Sequence, residues 1–149
     1  MKKELDKKLV EAFPLLYGDR NASMQSTAMC WGFGVDDGWF DIVWDLSSKL
    51  EPLIQKFIDE NPNVEMHPRA SQVKEKFGGL RFYMTHTSDE ISDLIGKAEA
   101  LSYKTCENCG NPGEERSNGW ISTRCDDCQK AWEDGQWKEI QKMIKKHDL

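Results

Sequence analysis

No stretch of the 149-residue chain approaches the ~18 consecutive apolar residues of a membrane span. Its basic start, MKKELDKKLV, is interrupted by acidic residues and is followed by no apolar run of ~7–15 residues, so it does not read as a secretory signal. These absences predict a cytosolic (cytoplasmic) protein. An excess of positive charge is missing too. Lys and Arg number 20 against 26 Asp and Glu, a net charge of −6, which argues against indiscriminate binding to nucleic acid or to an anionic membrane. Histidine is scarce, and no glycine-rich phosphate loop or nucleophile elbow is present. His67 and His86 flank a predicted hairpin, but without a third partner they read as surface or core residues. Asp36, Asp37, Asp41 and Asp45 could suggest a metal-dependent acid cluster. Their positions beside Gly38 and in the first turn of a predicted helix favour N-capping and dipole roles instead. An enzyme is therefore the least supported class.

What is present suits one domain of ordinary size with a small appended module. A mean hydropathy of −0.70 implies a modest core, to which six tryptophans can contribute large buried areas.

Four of the five cysteines lie in CENCGNPGEERSNGWISTRCDDC, as two CxxC pairs separated by fifteen residues. In a reducing compartment such pairs are metal ligands rather than disulfides. Cys106, Cys109, Cys125 and Cys128 are the expected ligands of one structural Zn2+, because four thiolates fill a tetrahedron and leave no position for water or substrate. Gly110, Pro112 and Gly113 supply turn formers after the first knuckle. Trp120–Thr123 reads as a short strand, and residues 126–147 as a helix whose apolar set is Ala131, Trp132, Ile140, Met143 and Ile144. Asp126 and Asp127 at its start, with Lys145, Lys146 and His147 at its end, complement the helix dipole. A knuckle, a short β segment and a helix bearing the second pair in its first turn resemble a treble-clef zinc finger. A zinc ribbon, with the second knuckle on a hairpin, is the alternative. From Lys104 onward eight Lys/Arg face nine Asp/Glu, too acidic for a DNA-contacting finger. Only His147 falls here, so the paired histidines of a ββα-metal nuclease are missing.

The preceding residues, 1–103, read as an α+β unit distinct from the module at 104–149. Leu5, Leu9 and Phe13 mark a short amphipathic helix ending near Pro14. Met24–Asp37 is ambiguous. From Gly38, Trp39, Val43, Leu46, Leu50, Leu53 and Phe57 recur at spacings of four and three, with Pro52 expected to kink or restart the helix. Cys30 stands alone and is expected to be buried and inert. Residues 72–85 read as a β-hairpin closed by Gly78-Gly79, which would set Phe77 opposite Leu80 and Lys76 opposite Arg81. One face would carry Val73, Phe77, Leu80, Phe82 and Met84. The other would carry Lys74, Lys76, Arg81 and Tyr83. A capping box at Thr87–Glu90 then opens a helix with the stripe Ile91, Leu94, Ile95, Ala98 and Leu101.

Gly38-Trp39-Phe40-Asp41-Ile42, then QVKEKFGGLRFY at 72–83, then the paired CxxC knuckles, together resemble a family of small proteins from bacteriophages and bacteria, over roughly residues 30–128. The resemblance implies a phage or prophage origin and brings no activity with it. Small phage accessory proteins commonly bind and modulate a host protein.

Two functions follow as expectations. The first is a non-enzymatic, zinc-stabilised accessory protein with a protein partner in the host cytoplasm. The alternative is a binding module for an anionic ligand, a nucleotide or single-stranded nucleic acid, on the basic hairpin face. Arg69, Lys74, Lys76 and Arg81 would supply the charge and Tyr83 a ring for stacking. Residues 69–81 carry four cations against Glu75 alone. Either an anion or internal carboxylates, such as Asp41 and Asp45, must answer them.

Overall fold

The computed structural model describes residues 1–117 and 119–147, with side chains of the last helix described to Ile144. The chain is α+β. Helix α1 (Lys3–Ala12) precedes a short strand β1 (Phe33–Gly34) and the long helix α2 (Phe40–Glu60). Strands β2 (Ala70–Lys76) and β3 (Gly79–Met84) form the hairpin, and α3 (Asp89–Ser102) follows. The module adds β4 (Glu114–Arg116), β5 (Ser122–Arg124) and α4 (Asp126–His147).

β2 is the central strand of a three-stranded sheet, parallel to β1 and antiparallel to β3. β1 is too short to show a period and lay hidden in the glycine-rich MCWGFGVDDG. The core is one cluster of apolar side chains from α1, α2 and the sheet, with Leu9, Trp39, Val43, Leu50, Val73 and Leu80 each at most 1 % exposed. Tyr17 lies among them, its ring 4.9 Å from Phe33 and 6.4 Å from Phe82. Its hydroxyl meets Ser47 Oγ at 2.6 Å, and burial pushes its ionisation well above the ordinary tyrosine range. α3 packs on β3 and α2 through Ile91, Leu94, Ile95 and Ala98, whereas Leu101 is exposed.

The hairpin keeps Val73, Leu80 and Phe82 on one buried face, but neither Phe77 nor the turn is where the sequence predicted. Val73 pairs with Phe82 and Glu75 with Leu80, so the two-residue loop is Phe77-Gly78. Both loop residues have positive φ, 53° and 82°, the type I′ signature that normally selects Asn or Gly. Gly79 is taken from the turn by packing: any Cβ there would overlap the Tyr103 ring at the end of α3. The turn is held by the Gly78 N–H donating to Glu75 Oε1 at 2.8 Å. Phe77, expected inside, is 62 % exposed at the tip. Lys74, not Lys76, faces Arg81.

Other expectations are also corrected. α2 runs through Pro52 without restarting, because the carbonyl that loses its N–H partner belongs to exposed Ser48 and stays in water. Neither Asp36 nor Asp37 caps the helix through its side chain. Their carboxylates accept from Asn108 Nδ2 at 2.7 Å and from the Lys2 N–H at 2.8 Å. Ser88, one residue later than the capping box required, caps α3 by accepting from the Ile91 N–H. Cys30 is half-buried, its Sγ 3.4 Å from the Thr27 carbonyl oxygen.

Candidate metal centre

The first pair of cysteines sits on a knuckle after α3. The Cys106 N–H donates to Asn111 O at 2.7 Å and the Gly110 N–H to Cys106 O at 2.9 Å, closing a tight turn with Gly110 at φ 83°. The chain then forms the β4–β5 hairpin, in which Glu114 pairs with Arg124 and Arg116 with Ser122. Cys125 follows β5 directly, and Cys128 falls in the first turn of α4, its N–H pointing at Cys125 Sγ from 3.4 Å. Knuckle, hairpin and helix thus occur in treble-clef order, with the second pair at a helix start rather than on a hairpin. Asp126 in that first turn accepts from Arg116 Nη2 at 2.7 Å, joining hairpin to helix. The dipole partners expected at Lys145, Lys146 and His147 lie outside the described side chains.

All four Sγ atoms lie within 4.8 Å of one another, with Cys109 and Cys125 3.6 Å apart. A tetrahedral ion with metal–sulfur bonds of about 2.3 Å needs sulfurs about 3.8 Å apart, so the set can hold a metal ion. Burial opposes the Cys106 thiolate, yet N–H groups, including those of Cys109 and Asn108, outweigh it and hold Cys106 at about 7. Burial and the neighbouring sulfurs push Cys128 far upward. One thiolate is favoured, while several together require a cation between them.

The knuckle is docked on the start of α2. The Trp39 indole N–H donates to Thr105 O at 2.8 Å and the Gly38 N–H to Glu107 O at 2.7 Å. A Cβ at Gly38 would overlap the carbonyl oxygens of Cys106 and Glu107, so glycine is required for this approach. On the other side, Thr123 Oγ1 donates to Gly78 O at 2.6 Å, fixing β5 to the tip of the β2–β3 hairpin. Glu107 Oε2 accepts from the Asp36 N–H at 3.1 Å. Burial, aided by Asp36 and Glu75, raises its pKa to about 7 despite that hydrogen bond. No sequence signal marked Gly38, Trp39 or Glu107 as junction residues, because their partners are some 70 positions away.

The basic residues singled out in the sequence are not gathered into one cradle. Arg69 is paired with Asp19 at 2.7 Å, its side chain only 13 % exposed. Arg81 Nη1 is bonded to Glu99 and to Tyr103 Oη. The internal carboxylates are therefore Glu99 and Asp19, while Asp45 pairs with Lys49 along α2. Lys74 is half-buried, and Lys76 and Tyr83 are exposed, with Lys76 Nζ 5.5 Å from the Phe77 ring centroid. Among the described residues, the His67 ring Nδ1 lies 2.9 Å from Pro68 O and the His86 ring Nδ1 3.1 Å from Thr85 Oγ1.

No helix is long and apolar enough to cross a membrane among the described residues. Set beside known proteins, the chain matches no family model, and no curated protein or solved structure matches it significantly. Fold and site define a class: an α+β protein carrying a four-cysteine, treble-clef-like module able to hold a metal ion.

Proposed function

We propose that the four cysteines hold one structural zinc ion, and that the protein is a non-enzymatic accessory factor that binds and modulates a protein of a bacterial host. Four thiolates fill zinc's coordination sphere, so the ion organises the fold and offers no site to a substrate. The resemblance to small phage proteins supplies the expectation of a host partner in the cytoplasm.

The observation that carries the binding reading is Phe77. A bulky aromatic at positive φ costs on the order of 1–2 kcal/mol, and the ring is left in water. Stability alone would choose Asn or Gly there, so exposure of this ring is the gain set against the strain. Gly78 lies against Ser122 and Thr123, and Trp120, 74 % exposed, is two residues from Ser122. The metal module thereby brings a second exposed aromatic to the same end of the molecule, and aromatics are the side chains that dominate protein interfaces.

The test is capture from a bacterial lysate by zinc-loaded wild type and by Phe77→Asn with Trp120→Ala. A stoichiometric protein held by wild type and lost by the variant, with zinc content kept and thermal stability unchanged or higher, supports the reading. Equal capture by both proteins, or co-purifying nucleotide whose binding weakens steeply with salt, overturns it in favour of the anionic-ligand alternative at Lys74, Lys76 and Tyr83.

A further inference from the structure

The strained turn at Phe77 is gripped from outside its own hairpin. Gly78 O accepts from Thr123 Oγ1 at 2.6 Å, and a Cβ on Gly78 would stand 3.3 Å from both Ser122 C and Thr123 Oγ1, so β5 lies directly on the tip. Thr123 is fully buried, and its own carbonyl oxygen accepts from the Glu107 N–H at 3.0 Å. Glu107 lies between Cys106 and Cys109, and Thr123 lies two residues before Cys125. One residue therefore joins the two cysteine pairs through its backbone and grips the turn through its hydroxyl. From the other side comes Tyr103, whose ring leaves Gly79 no room for a Cβ. Tyr103 is the C-cap of α3, three residues before Cys106, and the next residue is tied to the knuckle by the Gly113 N–H donating to Lys104 O at 2.9 Å. Both clamps are placed by the segments that bring the cysteines together.

The clamps oppose a local preference. Phe77, at φ 53°, sits in the left-handed region where a side chain is strained, while glycine at 79 could occupy that region freely. A four-residue loop over Lys76–Gly79, built around a type I turn with Gly79 left-handed, would keep the Glu75–Leu80 and Val73–Phe82 pairs and free Phe77 of strain. The observed loop is the one that sets Gly78 O on Thr123.

We infer that the cysteine module is a metal-dependent latch on the hairpin tip. With zinc bound, Thr123 and Tyr103 hold Phe77 at positive φ with its ring in water. With zinc lost, the clamps leave, the tip relaxes to the four-residue loop, and the end shared by Phe77 and Trp120 is dismantled. The two sites are then linked reciprocally, so strain in the turn weakens zinc binding as zinc enforces the strain. That the latch regulates docking rests on the function proposed above; the latch itself does not.

Zinc titration of the full chain under reducing agent, read by NMR at Phe77 and by competition with a chelator, tests this. Expected is a positive φ at Phe77 in the zinc-loaded chain and an ordinary negative φ once zinc is removed, with the Val73–Phe82 pairing kept. Thr123→Val removes the grip without touching a thiol, so it should retain one zinc per chain and still release Phe77. Phe77→Asn tolerates the left-handed conformation, so it should bind zinc on the order of tenfold more tightly than wild type, which must strain its turn on loading. A turn that keeps positive φ at Phe77 without zinc overturns the inference. So does an unchanged turn in zinc-loaded Thr123→Val, or a wild-type zinc affinity in Phe77→Asn. A turn that answers to zinc in a chain that captures no host protein supports the latch and removes only the docking reading.

Discussion

From α1 to α3 the chain is held by apolar burial: eighteen side chains form one cluster whose last member is Ile91. Past Lys104 the buried residues among those described are Cys106, Ser122, Thr123 and Gln129, and none belongs to that cluster. The first region can satisfy its folding entropy with a core of ordinary kind. The second cannot, and carries instead four clustered thiols able to hold a metal ion and a set of hydrogen bonds onto the body. The difference shows why the knuckle, which looks in sequence like a free-standing finger, is pressed against α2. A module this poor in apolar residues gains order from its neighbour, and has four clustered thiols that could hold a metal ion.

The largest expected effect separates the two regions. Cys128→Ser should abolish binding of one zinc per chain and unfold residues 104–147, because metal-binding energy in so small a module is folding energy, about 10–16 kcal/mol in zinc-finger peptides. Hydrogen exchange by NMR should show module amides unprotected while α2 and β2 stay protected, and Cys30→Ser should keep the metal. Equal loss of protection in both regions would mean that the body depends on the metal too.

Phe82→Ala strikes the other side of the comparison. Phe82 is 5 % exposed between the sheet and its helices, so a loss of about 3–5 kcal/mol in denaturant unfolding is expected, with zinc stoichiometry unchanged. A loss below about 1 kcal/mol, far under that range, would show that this face is not the core.

The junction should respond more mildly. Gly38→Ala forces a methyl into the carbonyls of Cys106 and Glu107 and should cost about 1–3 kcal/mol as overpacking. Zinc affinity should fall with it, because the knuckle must shift to make room. An unchanged affinity, read by competition with a chelator, would show that the metal site is indifferent to its docking.

The smallest effect is a pH slope. Glu107 is raised to about 7 in the fold from an ordinary 4.5, so the folded state binds more protons between those values, and stability falls as pH rises through that window. Glu107→Gln keeps an acceptor for the Asp36 N–H but removes the buried charge. Its melting temperature should therefore exceed wild type by more at pH 8 than at pH 6. A difference that does not change with pH would show that Glu107 carries no such shift.

The sequence by itself determined the elements whose signals are local. The spans of α3 and α4, the Val73–Phe82 face and the gathering of four cysteines follow from side-chain period and CxxC spacing, all properties of a few adjacent residues. Only the tertiary structure decided that Phe77 rather than Gly79 enters the turn, since that choice depends on the Tyr103 ring arriving from α3. In the same way it decided that Asp36 reaches Asn108 instead of capping a helix, that Glu99 and Asp19 answer Arg81 and Arg69, and that Gly38 must be bare for the knuckle to dock. In each case the competing local option was sound. It lost to a contact made across tens of residues, whose partner no local pattern can name.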